Sequence, residues 1–196
     1  MSTLLDYYND LLRWENIPVR PLVMQWSRSE SVAIERDFRQ AIHGSLTIGG
    51  FVPIVQGSTN QSIGNQVERH FIREIQTHLS EFKIFECSGA GYPDKALVRL
   101  NDRKEYPLEF KATSHWNPSD SNRRVLTSSS TKLRRKFRGS INHILATVIY
   151  NNSGGTCRVE QLRLDFLEPD TQVNVRLEAS VNHKILSQGS HHNVTL

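Results

Sequence analysis

Two carboxylates and an ammonium group that together could hold a cation against a phosphate fall within one short stretch of this chain: Asp94, Glu109 and Lys111. Between the acids the text reads as an apolar strand from Ala96 to Leu100, a polar turn Asn101-Asp102-Arg103-Lys104, and a second apolar strand from Tyr106 to Ala112. That order predicts two strands joined by a tight turn. Side chains two positions apart on a strand share a face. Glu109 and Lys111 therefore project toward one point, whereas Phe110 turns the other way and anchors the strand in the core. Asp94 sits just ahead of the partner strand and reaches the same point. Asp102 and Glu105 belong to the turn and read as solvated, and Glu86 is a minor further acid near the hairpin.

The residue types define the chemistry. A hard divalent cation such as magnesium takes oxygen ligands, keeps several waters, and is usually held by one or two carboxylates plus a substrate phosphate. Asp94 and Glu109 meet that requirement, and the main-chain carbonyl of Phe110 supplies a third oxygen; manganese is a possible substitute. Beside a phosphodiester, a cation of this kind lowers the pKa of a bound water and neutralises charge on the scissile group. Lys111 either orients or deprotonates that water, or stabilises the developing charge. Its type and position leave both roles open.

Upstream, Ile63, Val67, Phe71, Ile75 and Leu79 recur every fourth position behind Ser62, a residue suited to an N-cap, so a helix is expected with its stripe on the core. Glu68 lies at the edge of that stripe. It is either a solvated flank residue paired with a nearby arginine, or an additional carboxylate leaning over the site.

Gly91-Tyr92-Pro93-Asp94 followed by Leu108-Glu109-Phe110-Lys111-Ala112-Thr113-Ser114 resembles the signature of the PD-(D/E)xK nuclease superfamily and is most similar to type II restriction endonucleases. The resemblance spans residues 62 to 150, including the helix before the hairpin and the basic helix and apolar strand after it. It implies an α/β fold, a mixed β-sheet core flanked by helices in the restriction-endonuclease manner. It implies Asp94, Glu109, Lys111 and Glu68 as catalytic residues, magnesium as cofactor, and double-stranded DNA as substrate, cut at a specific short sequence. It also implies a homodimer, in which two sites related by a two-fold axis cut both strands. Two alternatives stay open: a structure-specific DNA repair or junction-resolving nuclease built on the same site, and a non-catalytic DNA-binding protein in which Asp94 and Glu109 are surface charges.

Charge distribution bears on the partner. The net charge is only +4, yet residues 121 to 159 contain no Asp or Glu and carry Arg123, Arg124, Lys132, Arg134, Arg135, Lys136, Arg138 and Arg158. These are eight of the 24 basic residues, so the rest of the chain holds 16 against 20 acidic ones and is net negative. A local basic surface following the acid pair suits contact with phosphates; a solvated helix face is the plainer reading. Ser128-Ser129-Ser130-Thr131 offers hydroxyls to cap a helix starting near Lys132, Leu133 and Phe137 hold it to the core, and Gly139 ends it. Arg134, Arg135 and Arg138 are then expected to face outward. The polar loop from Ser114 leaves the second strand next to the acids, with His115 placed to touch DNA and Trp116 either there or packed.

The remaining elements position this site. Leu4, Leu5, Tyr8, Leu11 and Leu12 form one helical stripe, and Ile34, Phe38 and Ile42 form another ending near Gly44. Ile144 to Tyr150 is a continuous apolar run, suited to a strand buried on both faces. Leu162, Leu164 and Phe166, then Val173, Val175 and Leu177, alternate with polar residues on either side of Glu168-Pro169-Asp170 and predict a late hairpin. At 196 residues, one domain is expected, with N-terminal helices in 1–44, a catalytic core about 62–150 and C-terminal strands in 158–180. The chain has no apolar run of membrane-spanning length, and Asp6, Asp10 and Arg13 do not fit a secretory leader, so a cytoplasmic protein without membrane contact is expected. Cys87 and Cys157 are too few for a disulfide framework and read as reduced thiols. The eight histidines lack the paired spacing of a zinc site. Gly89 and Gly91 fall short of a phosphate-binding loop and instead permit the bend that presents Asp94.

Overall fold

The computed structural model describes residues 2–45, 47–53, 59–89, 91–117, 124–126, 129–137, 141–153, 156–177, 183–187 and 192–196, with only the main chain described at 51–53, 124–126, 174–177, 183–187 and 192–193. In chain order the elements are β1 (Ser2–Thr3), α1 (Leu4–Trp14), α2 (Arg28–Ser45), β2 (Phe51–Pro53), α3 (Asn60–Gln76), β3 (Phe82–Glu86), β4 (Lys95–Arg99), β5 (Glu105–Thr113), β6 (Arg124–Leu126), α4 (Thr131–Lys136), β7 (His143–Ser153), β8 (Thr156–Leu167), β9 (Gln172–Leu177), β10 (His183–Ser187) and β11 (His192–Thr195). The larger sheet runs β11-β8-β7-β5-β4-β3, with β2 also on β8, and the smaller one runs β1-β9-β10-β6. Among the pairs described, β5 and β7 alone run parallel. A parallel pair needs a long crossover. Here the crossover contains β6 and α4, so the basic segment is carried from the end of β5 back to the start of β7. The expected mixed sheet flanked by helices is what the chain forms.

The sheet separates two apolar clusters. Ile34, Phe38 and Ala41 of α2 and Ile63, Val67, Phe71 and Ile75 of α3 pack on Leu97, Leu108, Phe110, Ala146 and Leu164 of the sheet. Tyr8, Leu11 and Leu12 of α1 and Leu133 and Phe137 around α4 pack on Ala96 and Val98 of the same β4 strand. Alternate residues of β4 thus serve opposite cores, the consequence of the strand's period of two. Phe71 and Phe110 meet with ring centroids 6.4 Å apart, and burying each such ring contributes roughly 1.5–3 kcal/mol. α3 lies close on β5: a methyl group added at Gly64 would stand 3.3 Å from the Ala112 carbonyl oxygen. In the same layer, Asp37 of α2, fully buried, accepts from the main-chain N–H groups of Ser80, Glu81 and Phe82 and from the Ser80 hydroxyl, at 2.7–3.0 Å. One carboxylate so fixes the turn that leads into β3.

Three sequence expectations are corrected. The segments 162–166 and 173–177 do not form a hairpin: β8 pairs with β7 on one edge and with β11 and β2 on the other, so no edge is left for β9, which joins β1 and β10 in the smaller sheet. The Glu168–Thr171 turn that joins them, closed by Thr171 N–H on the Glu168 carbonyl at 3.0 Å, changes sheets instead. α3 begins one turn earlier than expected, with Thr59 as N-cap, its hydroxyl oxygen accepting from the Ser62 N–H at 3.2 Å. Ser130, the N-cap of α4, makes no capping bond with its side chain, because its hydroxyl and N–H are both taken by the Glu15 carboxylate. Gly139 and Ser128 lie outside the described residues. Among the described residues, no helix is long and apolar enough to cross a membrane. Cys87 and Cys157 are both free thiols.

Candidate active site

β4 and β5 are antiparallel with Lys95 opposite Leu108. One step beyond that pair, Asp94 stands across from Glu109, and the Asp94 N–H donates to Glu109 Oε2 at 3.2 Å. Lys111, two residues along the same face of β5, donates from Nζ to the other oxygen, Glu109 Oε1, at 2.6 Å. Phe110 turns into the opposite core. The β4 ladder ends at Leu108, so beyond that point β4 no longer covers the edge of the β5 main chain, including Phe110. Glu109 and Lys111 thus meet on one face, the Asp94 main chain joins them, and the Asp94 charge acts on both.

The two acids differ in environment. Asp94 is exposed whereas Glu109 is buried, its side chain 5% accessible. Burial pushes the Glu109 carboxyl above its ordinary value, the charge of Asp94 pushes the same way, and Lys111 pulls back. For Lys111, burial disfavours the ammonium, but the charges of Glu109, Asp94 and Glu68 outweigh it and hold its pKa above the usual lysine value. Lys111 is therefore a cation at neutral pH.

Two anchors present Asp94. Gly89 and Gly91 have φ of +92° and +85°, the left-handed region in which a side chain is strained, and so allow the sharp bend expected of them. Tyr92 then plugs into the core: its hydroxyl donates to His143 Nδ1 at 2.7 Å, and Tyr8 and Tyr92 both stack on the His143 ring, with centroids 5.3 and 5.7 Å away. The neighbouring Cys87 N–H donates to the Asp94 carbonyl at 2.7 Å.

Glu68 is half-buried, and among the described residues its ion-pair partner is a lysine, not an arginine. It lies one helical turn beyond Gly64, where α3 lies close on β5, and accepts from Lys95 Nζ at 3.0 Å. Lys95 also stands 3.8 Å from Glu86, and its side chain is only 9% accessible. Sequence reasoning does not single out Lys95. Its adjacency to Asp94 is the available signal, but a lysine beginning a strand gives no notice of burial. The register adds a row that no local pattern reveals: Lys111 lies beside Thr147 of β7, and Thr147 beside Arg163 of β8. Arg163 forms a bidentate pair with the buried Asp165, with bonds between 2.9 and 3.2 Å, and its guanidinium lies 4.7 Å from the centre of the Trp116 ring. Trp116 is thus a packing partner of Arg163.

The basic segment divides. Arg123 and Arg138 lie outside the described residues, and Arg124 is described only as main chain of β6, opposite Leu186 of β10 in the smaller sheet. Lys132 Nζ donates to the carbonyls of Gly89 and Gly91 at 2.9 and 2.7 Å, tying α4 to the bend before Asp94. Arg134 does not face outward as expected; its Nε donates to Ser130 Oγ at 2.7 Å and its guanidinium is 3.9 Å from the Glu15 carboxylate. Arg135 and Lys136 are exposed, Lys136 lying 3.4 Å from Glu105. His115 is exposed just after β5, its main chain bonded at both N–H and C=O to the Thr113 hydroxyl.

Among the described residues, no three His, Cys, Asp or Glu side chains cluster closely enough to form a full metal cage. An acid pair is nevertheless what magnesium requires when substrate oxygens and water complete its shell, so Asp94 and Glu109 fit that ion and not a fully protein-enclosed one. Neither a family model, a curated protein nor a solved structure matches this chain.

Proposed function

We propose that this chain is a magnesium-dependent endonuclease that hydrolyses phosphodiester bonds of double-stranded DNA, working as a type II site-specific deoxyribonuclease of the PD-(D/E)xK kind. The observation that carries the reading is the position of Asp94 across from Glu109 on neighbouring strands, with the Lys111 ammonium 2.6 Å from the buried carboxylate. Asp94 and Glu109 would hold the cation, with manganese as a substitute and with the Phe110 carbonyl as a third oxygen. Bound there, the ion would supply an activated water and neutralise charge on the scissile phosphate.

The side chains divide the remaining work. Lys111 is charged at rest, which favours its service as an electrostatic stabiliser of the phosphate over that of a base. Glu68, engaged by Lys95, acts on the site through charge. Lys95 keeps that carboxylate in place and thereby serves as a positioning residue. Arg135, Lys136 and His115 offer exposed contacts to the DNA backbone, joined in this proposal by Lys132, Arg123, Arg124 and Arg138. A homodimer would cut both strands of a symmetric sequence. A cytoplasmic location belongs to the same reading.

Supercoiled plasmid is the test. The wild-type protein should cut it with magnesium or manganese and spare it in a chelator, and Asp94→Asn, Glu109→Gln and Lys111→Met should each abolish most cutting while circular dichroism stays native. Efficient cutting in chelator, or wild-type rates in Glu109→Gln, would overturn the proposal. Binding of DNA without any cutting would instead favour a non-catalytic DNA-binding protein.

A further inference from the structure

We infer that the cavity between α4 and the bend before Asp94 is a nucleotide subsite, one that takes a single deoxynucleotide unpaired from the duplex next to the bond to be cut. The inference rests on the nuclease reading above and names a structural feature of its substrate. The cavity measures about 510 Å³ and is lined by Lys132, Arg135 and Lys136 on one side and by Glu86, Cys87 and Tyr92 among the residues opposite.

Three properties point to a nucleotide. The first is size: pockets for small organic molecules run roughly 300–1,000 Å³, and this one would leave a lone phosphate mostly surrounded by empty space. The second is charge. Lys136 is 3.4 Å from Glu105, which leaves Lys132 and Arg135 facing one lining carboxylate, Glu86, and that carboxylate is already 3.8 Å from Lys95. Lys132 spends two of its three N–H donors on the Gly89 and Gly91 carbonyls and keeps one; Arg135 is exposed and has no carboxylate partner among the described residues. A guanidinium and an ammonium so placed suit a phosphate monoester or diester. The third is location. The wall of the cavity at Cys87 donates its main-chain N–H to the Asp94 carbonyl at 2.7 Å, so the cavity adjoins the segment that carries one of the two acids. Paired bases inside a duplex cannot enter a cavity of this kind, and extrusion of a nucleotide costs least where pairing is already broken.

Calorimetric titration of the metal-free, full-length protein with deoxyadenosine 5′-monophosphate, thymidine 5′-monophosphate and inorganic phosphate tests the subsite. Both nucleotides should bind at least about tenfold more tightly than phosphate. Arg135→Ala, which removes a charge-assisted hydrogen bond, and Ser88→Tyr, which fills the cavity from an exposed position, should each weaken nucleotide binding by about tenfold or more. Nucleotides that bind no better than phosphate, or that bind both folded variants with wild-type affinity, overturn the inference. A parallel cleavage assay in magnesium compares an intact duplex with one carrying a single-nucleotide bulge, and faster cutting beside the bulge is expected. Cutting without preference, together with failed nucleotide binding, sinks the subsite and leaves the nuclease reading standing. Nucleotide binding by a protein that cuts neither substrate supports the cavity as a ligand site and sinks the nuclease reading.

Discussion

The Tyr92 hydroxyl donates to His143 Nδ1 at 2.7 Å while His143 Nε2 donates to the Leu22 carbonyl at 2.6 Å, so one neutral imidazole joins the residue two before Asp94 to the core. Burial drives the His143 pKa down to about 4 from its ordinary 6.5. The unfolded chain then binds a proton below pH 6.5 that the folded chain refuses until about pH 4. Stability from this group is complete above the unfolded value and is lost as pH falls through that window, by about 1.4 kcal/mol per unit and on the order of 3 kcal/mol in all. Urea unfolding between pH 7.5 and 4 should record the decline. His143→Gln should be weaker at neutral pH but flatter across the window; an equally steep profile assigns the loss to other groups.

Glu109 should titrate late. Its burial, with Asp94 close by, raises the carboxyl above the ordinary 4.5, and the Lys111 ammonium moderates that rise. Removing the ammonium in Lys111→Met therefore moves the Glu109 midpoint further up, because the ionised form loses its nearest counter-charge. Carbon-13 detection of the side-chain carboxyl in metal-free protein reads both values. A midpoint that stays put or drops in the variant contradicts the pairing seen at 2.6 Å.

Lys95 and Glu68 are expected to behave as one unit. Removing either member of a buried pair strands the other charge away from water, whereas removing both relieves that cost. Glu68→Gln and Lys95→Met should each destabilise the fold, and the double variant should recover part of the loss, with a coupling of about 1–3 kcal/mol. Additive losses in denaturant unfolding would mean that the 3.0 Å contact carries no energy of its own.

What the sequence disclosed is what local periodicity encodes. The β4–turn–β5 unit, the common face of Glu109 and Lys111, the inward Phe110 and the buried β7 all follow from a period of two and a polar turn. Partnership is a different kind of information. The alternation in β8 and β9 says which side chains share a face, but the neighbour of each strand is decided by edges already occupied, and β8 had none free. Thr59 and Ser62 are both hydroxyl residues near the start of α3, and the capping bond made by Thr59 selects between them. Lys95 and Arg134 were illegible for a shared reason: each is claimed by a carboxylate distant in sequence, Glu68 and Glu15, which only tertiary packing brings near.

That distinction separates neighbouring arginines on α4. Arg134 is folded back on Ser130 and Glu15, so Arg134→Ala should cost stability, about 1 kcal/mol for a partly exposed charged hydrogen bond, and affect DNA binding weakly. Arg135 is exposed, so Arg135→Ala should leave unfolding unchanged, weaken DNA binding, and reduce the slope of log affinity against log salt by about 0.9, the change that follows when one phosphate fewer is neutralised. Urea melts and a salt series of fluorescence-anisotropy titrations on both variants measure the two effects. A salt slope that falls by a full unit at Arg134 with no change in its melt would mean that its guanidinium leaves Glu15 for DNA; an unchanged slope at Arg135 would remove it from the phosphate-binding surface.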